Sequence, residues 1–367
     1  MRKYLVLKLF LLLTTISFSQ RLAEVDSLIS VKLNEDKHAS LAVGVIKSGE
    51  IVHLSTQGYK DIENKFIADV NTSYHIASLS KTVTNLAVFK LLEEQKINLN
   101  NDINSYLPFK IINPHSPDRI IKVKDLLNHR SCIVDDIDFY VPLWHASKGD
   151  SKEILKEFLF DYLLKEGNNY SAEHFTDCHN FAPFKYSNTA FAILGLIVEH
   201  VSKMTFEEFC QEKIFQPLNM DNTSWFLSAL DPINVAKTYT FTDSTALRFE
   251  GHNGYPDYPA GQLRTSISDF TNLIQKFLIV QNSDFIIDEN TRNIILPLPQ
   301  HAQVGFYTWF LNPLNNNLYY QHGGRDKGVR TRAMVDRNFN HAIIIFSNSN
   351  ANVGSLLRSI EKSLFTR

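Results

Sequence analysis

With 367 residues, 44% of them hydrophobic and 21% charged, the chain has ordinary globular composition, which excludes an intrinsically disordered protein. Its length suits one large domain or two modest ones. A formal net charge of −2 leaves no basic surplus, so neither nucleic acid nor an anionic membrane surface is expected as a partner.

The first twenty residues, "MRKYLVLKLFLLLTTISFSQ", combine basic Arg2, Lys3 and Lys8 with an apolar stretch around Leu9 to Leu13 and small Ser17 and Ser19. This pattern predicts a secretory signal peptide over 1–19, cleaved after Ser19, and hence an exported, periplasmic or extracellular protein. The apolar run is shorter than the ~20 residues a membrane span needs. No cysteine lies near the cleavage point, so no stable membrane anchor is expected once the signal is removed. Without the three basic residues, 34 basic against 39 acidic side chains remain, a charge of −5.

Next, "RLAEVDSLISVKLNE" carries helical spacing at Leu22, Val25, Leu28 and Leu33. The stretch "LAVGVIKSGEIVHLSTQGY" reads as two strands around a turn at Lys47, Ser48 and Gly49. The middle of the chain is mainly helical. Apolar residues recur at three- and four-residue steps in "KTVTNLAVFKLLEEQ", "KEILKEFLFDYLLKEG", "NTAFAILGLIVEHVSK" and "SISDFTNLIQKFLIV". Long polar connections separate them, notably "GNNYSAEHFTDCHNFAPFKYSN" and "EGHNGYPDYPAGQLRT", and loops of that length usually carry function or are poorly ordered. Strands return in "NNNLYYQHGGRDKG", "VRTRAMVDRN" and "HAIIIFSNSN", followed by the helix "GSLLRSIEKSLF". The expected fold is α/β (α+β): one antiparallel sheet built from both termini, flanked by helices, with a mainly helical lobe inserted. After the signal, residues 20–367 form a single domain, its sheet drawn from about 20–75 and 300–367 and its helical lobe from about 76–299.

Within "HIASLSKTV", Ser78 precedes Lys81 by three residues, which places both on one face of a helix about one turn apart. A serine hydroxyl is a poor nucleophile until a neighbour takes its proton. At the start of a helix the dipole disfavours the charged ammonium of Lys81 and favours negative charge developing on Ser78. Ser80 lacks such a partner, because adjacent helical positions point apart. Ser-x-x-Lys alone does not discriminate, since Ser359 and Lys362 match it on a final helix that reads as exposed. A second element lies at Tyr186-Ser187-Asn188, the only Tyr-x-Asn in the chain. A tyrosine near a lysine can carry a proton, and an asparagine can orient a substrate carbonyl. Asn188 also reads as the N-cap of the helix that follows.

Three cysteines, Cys132, Cys178 and Cys210, fit neither a disulfide framework nor a zinc ribbon; one disulfide with a leftover thiol and three free thiols both stay open. His174, Asp177, Cys178 and His179 are side chains that zinc accepts, but their spacing matches no defined metal site, and neither a metal nor any other cofactor is expected. The absence of Gly-x-Ser-x-Gly excludes an α/β-hydrolase.

Ser-x-x-Lys followed by Tyr-x-Asn resembles the serine β-lactamase and penicillin-binding protein superfamily, nearest to class C β-lactamases and the related D-alanyl-D-alanine carboxypeptidases and esterases. That family carries a third element, Lys-Thr-Gly or His-x-Gly, on a strand facing the Tyr-x-Asn. Of Lys47-Ser48-Gly49, His252-Asn253-Gly254 and His322-Gly323-Gly324, the last follows an apolar strand and leads into the final meander, as the resemblance requires. "LLNHRSCI" resembles the family's Leu-Leu-x-His-x-Ser-Gly with Cys132 in place of glycine. "PAGQLRTSISDF" resembles its Pro-Ala-Gly-Gly-Leu-x-Ser with Gln262 in place of the second glycine. The resemblance implies Ser78 as acylated nucleophile, Lys81 as its activator and Tyr186 as general base and later acid. It implies Asn188 as a ligand of the substrate carbonyl. His322, Gly323 and Gly324 would form the opposite wall, His322 within the hydrogen-bond network around Tyr186, and the backbone N–H groups of Ser78 and Arg325 would form the oxyanion hole. Gly323 lacks the hydroxyl with which β-lactamases bind a substrate carboxylate, and Arg325 and Arg330 are alternative sources of positive charge. The expected activity is therefore acyl transfer to water on an ester or amide of a small molecule or peptide. β-Lactam or D-Ala-D-Ala cleavage is the alternative, and a non-catalytic binding or sensor protein of the same fold is the rival from another class.

Overall fold

The computed structural model describes residues 20–145, 149–179, 182–242, 246–279, 285–296 and 305–365; the signal peptide expected at 1–19 lies outside them. Helix α1 occupies 20–35. It leads into strand β1 (Ser40–Lys47) and, through a tight turn, into β2 (Glu50–Asp61). Ser48 and Gly49 both take positive φ, 52° and 86°, the two left-handed residues that a twisted two-residue hairpin turn requires. β3 (Phe66–Ile67) is a short edge strand. The chain returns to the same sheet only near its end, with β4 (Gly305–Phe306), β5 (Trp309–Leu314), β6 (Asn317–Asp326), β7 (Val329–Asp336) and β8 (Ala342–Ser347). The order is β3-β2-β1-β8-β7-β6-β5-β4, and every pairing is antiparallel. N- and C-terminal strands meet at the β1–β8 seam, where Val43 opposes Ile345. The sheet built from both termini is thus as the hydrophobic pattern predicts; β4 and β5 were not expected from it.

β1 is buried along almost its whole length because helices cover both faces of the sheet. Leu41, Val43 and Val45 point to one side, where they pack with Ile343 and Ile345 beneath α1 and the last helix, α5 (Gly354–Leu364). Ala42 and Ile46 point to the other, toward Ile344, Phe346 and the helical lobe. This alternation is the period of two of a strand. Each buried Val, Leu or Ile contributes roughly 1.5–3 kcal/mol relative to an exposed one. Gly44 lies on the lobe side, where a Cβ would sit 2.0 Å from Thr271 Oγ1. Its missing side chain is what lets α4 (Ile267–Leu278) approach the sheet.

Two lobe helices are buried nearly all round. α2 (Lys81–Glu93) buries Val83, Leu86, Ala87, Val88, Phe89 and Leu91, and α3 (Asn188–Ser202) is buried continuously from Asn188 to Val198. Their starting ends converge, because Lys81 and Asn188 are each the first residue of their helix and hydrogen-bond to one another at 2.7 Å. Among the described residues no single helix is long and apolar enough to cross a membrane. A bent pair, Asn188–Ser202 with Phe206–Leu218, passes by composition, but its apolar residues are the lobe's own core.

Cys132 and Cys178 form a disulfide across 46 residues, and Cys210 is a buried free thiol, so the first of the two cysteine arrangements is the one present. The Gln262 position has no positive φ, so no glycine is required there. Its buried side chain instead accepts from Tyr255 N at 2.6 Å and donates to Trp225 O at 2.8 Å.

Candidate active site

Residues 72–80 are buried except for Ser78, which is half-buried and lies in the 3₁₀ turn Ala77–Ser80 that leads into α2. Ala77, immediately before it, holds φ at +48°, a left-handed conformation that costs an L-residue about 1–2 kcal/mol. Strain of this kind persists where surrounding contacts enforce it. Here they come from Ser80, whose Oγ donates to Ala77 O at 2.6 Å and accepts from Leu263 N at 3.1 Å. Thr82 Oγ1 donates to Leu79 O at 2.7 Å. Ser80 and Thr82 therefore brace the turn, and Ser78 alone presents its hydroxyl outward.

Lys81 is fully buried. Its Nζ donates to Ser78 Oγ at 3.3 Å, Asn188 Oδ1 at 2.7 Å and Ala260 O at 2.6 Å, which uses all three ammonium donors on uncharged oxygens. No ion pair involving Lys81 occurs among the described residues. The Ser359/Lys362 pair has no comparable setting; Lys362 is exposed on α5.

The helix cap falls one residue earlier than the sequence suggests. Ser187 is the N-cap of α3, its Oγ accepting from Ala190 N at 3.1 Å, while Asn188 begins the helix. The start is reinforced by Asp135, whose carboxylate accepts from Ser187 Oγ, Asn188 N, Thr189 N and Thr189 Oγ1 at 2.5–3.0 Å. An acidic group at a helix N-terminus is favoured by the dipole and by unpaired N–H groups. With its backbone held by Asp135 and its Oδ1 by Lys81, Asn188 keeps its amide NH₂ without a protein partner among the described residues. That is the donor a substrate carbonyl needs.

Tyr186 is 38% exposed. Its ring lies 4.9 Å from Lys81 Nζ and stacks on His129 at 4.3 Å between centroids. Its hydroxyl makes no hydrogen bond among the described residues, so it is the ring that the structure brings to Lys81. His322 does not join Tyr186 by hydrogen bonding as the resemblance implies. It reaches the backbone of the Ser78 turn instead, with Nε2 2.9 Å from Ser78 O and Nδ1 2.8 Å from Thr308 O and 3.4 Å from Thr308 Oγ1. Burial, and then the charge of Lys81, push His322 down to about 3. A neutral ring has one N–H and faces two carbonyl oxygens, so it donates either to Ser78 O through Nε2 or to Thr308 O through Nδ1. The reason for the altered role is register: β6 runs directly beside the Ala77–Ser80 turn. At Gly324 a Cβ would stand 2.0 Å from Ile76 O, so only glycine allows this approach.

Gly323 pairs across the sheet with Arg332, and a Cβ there would lie 3.3 Å from the Arg332 guanidinium carbon. The Thr331 carbonyl oxygen, 2.8 Å from that Cβ position, and Arg332, for which the sequence carries no motif, together close the space a larger residue at 323 would need. Ser78, Tyr186, His322, Gly323, Gly324, Arg325, Arg330 and Arg332 all line one cleft of about 890 Å³. Three arginines and no carboxylate contribute to it. An aromatic cavity of about 460 Å³ adjoins it, with Tyr186 and Phe310 common to both and His129, Phe184 and Tyr307 farther in.

The other candidates lie elsewhere. Lys47 lines a separate cavity with His341 and Phe365. His252 packs on Phe249, and Asn253 bonds to Asp326. In the "HFTDCH" stretch, Cys178 is in the disulfide, His174 stacks on Tyr162 at 3.7 Å and bonds to its carbonyl, and Asp177 bonds to His179. No group of side chains able to hold a metal occurs among the described residues.

A family model described as Beta-lactamase matches residues 25–361. Protein flp of Staphylococcus aureus (strain MRSA252) is 24% identical over 331 residues, which cover 89% of this chain and 63% of that protein. The chain thus spans less than two thirds of the length of that curated relative. Among solved structures, the octameric penicillin-binding protein homologue from Pyrococcus abyssi superposes with a TM-score of 0.70 at 21% identity, covering 93% of this chain and 79% of its own. The D-amino acid amidase from Ochrobactrum anthropi SV3 gives a TM-score of 0.71 at 18% identity, with 93% and 98% covered. Likeness at such identity speaks for the fold. The family match, which takes in both halves of the sheet and the whole lobe between them, goes further: this chain belongs to the Beta-lactamase family.

Proposed function

We propose that the chain is an exported serine hydrolase that forms an acyl-enzyme on Ser78 from an ester or amide and passes the acyl group to water. The observation that carries this reading is the contact of a fully buried lysine with a half-exposed serine one turn before it, Nζ to Oγ 3.3 Å. In the proposed reaction Ser78 Oγ attacks the carbonyl carbon, and its proton passes to a Tyr186 phenolate stabilised by the Lys81 ammonium and then to the leaving group. The Asn188 amide orients the carbonyl, and the backbone N–H groups of Ser78 and Arg325 stabilise the oxyanion. Each such donor contributes about 3 kcal/mol in other serine hydrolases.

The cleft's three arginines, with no lining carboxylate, support an acyl donor that carries an anionic group. The adjoining aromatic cavity supports an apolar portion on the same substrate. Gly323, backed by Arg332 where β-lactamases carry a hydroxyl, favours such an ester or amide over a β-lactam. The basic, apolar segment at 1–19 supports export, and a disulfide is at home in the oxidising compartment it leads to.

A fluorophosphonate probe and a nitrophenyl ester test this reading. The expected result is stoichiometric labelling of Ser78 and ester turnover that Ser78→Ala abolishes without loss of fold. Absence of label on a folded protein would instead identify a binding protein that keeps the fold without turnover.

A further inference from the structure

Beside Ser78, sharing that residue and Arg325 with the arginine-lined cleft, lies a second cavity of about 20 Å³, room for a single water. Ser78, Asn188 and Arg325 form part of its wall, and Trp144, Tyr255 and Asp257 form another part. Asp257 sits in the loop just before the 3₁₀ turn Tyr258–Ala260, whose last carbonyl holds Lys81. Asp257 is 1% exposed. One oxygen, Oδ1, accepts from the Trp144 indole N–H at 2.9 Å. The other, Oδ2, is buried with no hydrogen-bond partner among the described residues. A buried carboxylate oxygen left unpaired costs free energy that folding alone has no reason to spend, and such groups call for an explanation.

We propose that Asp257 is a further catalytic residue, holding the hydrolytic water in this cavity and accepting its proton when the water attacks the acyl-enzyme. The proposal rests on the acyl-enzyme reading and assigns the deacylation half-reaction within it. The water oxygen forms a bond to the acyl carbonyl carbon while one water proton passes to Oδ2 of Asp257, and the carbonyl electron pair moves onto oxygen. The tetrahedral intermediate then collapses, the carbon–Oγ bond breaks, and the acid leaves. Asp257 returns the proton to Ser78 Oγ, which restores both groups. No oxidant, reductant or cofactor enters the balance.

Electrostatics suit the role. Burial, with a smaller contribution from Asp135, raises Asp257 to about 7, against the lowering effects of the Trp144 indole and Lys81. Arg325 and Asp326 share the cavity wall, and the phenols of Tyr140 and Tyr255 feel the Asp257 charge. A base whose pKa lies near the working pH exchanges protons with least loss in either direction.

The test separates the two half-reactions with a nitrophenyl ester. In Asp257→Asn, whose amide oxygen still accepts from Trp144, the expected result is a burst of about one nitrophenolate per protein with an acyl adduct on Ser78 by intact mass. Steady-state turnover should fall at least 100-fold while the burst rate stays within about 10-fold of the unsubstituted enzyme. Deacylation should also lose its rise with pH near neutrality. Asp257→Ala should behave alike and regain turnover with added formate. Turnover within about 3-fold of the unsubstituted enzyme, or a parallel loss of both steps with no adduct and no formate rescue, would overturn the role of Asp257 alone. An unsubstituted enzyme that never forms a Ser78 adduct would overturn the acyl-enzyme reading and this one with it.

Discussion

Lys81 Nζ and Asn188 Oδ1 are 2.7 Å apart, and this one hydrogen bond fixes which end of the Asn188 amide faces the substrate. The lysine has only donors to offer, so the amide must turn its oxygen inward and its NH₂ outward. Replacing the amide by a carboxylate removes the outward donor and sets an anion against the buried ammonium. Asn188→Asp should therefore lower kcat/KM for a nitrophenyl ester by about 100-fold or more, the scale of a lost transition-state donor. The new ion pair should keep the thermal midpoint at or above that of the unsubstituted protein. Activity within a few-fold of the starting value would show that the amide does not orient the carbonyl.

Cys132 stands where the resembling segment has glycine, and its φ of +61° shows what that glycine is for. The left-handed conformation costs a non-glycine residue about 1–2 kcal/mol. Closing a loop of 46 residues offsets it with about 4 kcal/mol in the chain-entropy account. The disulfide holds in place the segment that carries His129, on which Tyr186 stacks. Cys132→Ala with Cys178→Ala should lose about 4 kcal/mol in urea unfolding. Cys132→Gly in the same Cys178→Ala background should recover about 1 kcal/mol. If glycine is no better than alanine there, backbone conformation is not what the position selects.

Six histidines are held below their ordinary value, in each case first by burial: His322 and His75 at about 3, His38 and His252 at about 4, His129 well below it, and His341 below it. Above pH 6.5 such a group is neutral in both folded and unfolded chains and stability is unaffected. As pH falls below 6.5 the unfolded chain binds protons that the native state refuses, so stability is lost down to the folded value. Each histidine contributes up to ~1.4 kcal/mol per pH unit in that window. Asp257, raised to about 7, works in the opposite direction between its unfolded value and 7 and offsets one of them. The urea midpoint should therefore drop steadily between pH 6.5 and 4.5. His38→Gln, remote from the cleft beside Ser347, should flatten the fall by about one proton. An unchanged midpoint over that range would contradict the burial argument.

The fold was legible because each terminal strand carries its own pattern and because the Ser48–Gly49 turn has unmistakable chemistry. β4 and β5 were missed, as "GFYTWFLNPL" mixes aromatics with turn residues and alternates poorly. At the site, Ser78, Lys81, Tyr186 and Asn188 each open or precede a helix whose apolar pattern marks its start, but spacing alone also fits Ser359 and Lys362, and the resemblance is what singles the four out. Asp135 and Asp257 could not, because they act across loops, and no local pattern says which helix end or which cavity a loop carboxylate will meet. His322 was placed on the right strand but given the wrong neighbour, since register across a sheet decides whether it meets Tyr186 or the Ser78 carbonyl. Arg332 was overlooked for the same reason: only the pairing of β6 with β7 sets it against Gly323.

That pairing leads to a test of substrate charge. Burial lowers Arg332, and no ion pair involving Arg325, Arg330 or Arg332 occurs among the described residues. A half-buried guanidinium lining the same cleft as Ser78, with no ion-pair partner among the described residues, is arranged to receive an anion from a substrate. Esters bearing a carboxylate or phosphate should be preferred over neutral esters of the same size. Arg332→Gln should reduce the ratio of the two kcat/KM values by about 10-fold, the scale of a charge-assisted hydrogen bond worth 1.5 kcal/mol or so. Arg332→Lys should recover only part of it, because an ammonium cannot offer the planar fork. A ratio near one in the unsubstituted enzyme, or equal losses on both esters in Arg332→Gln, would mean that the arginine supports the strand and does not read the substrate.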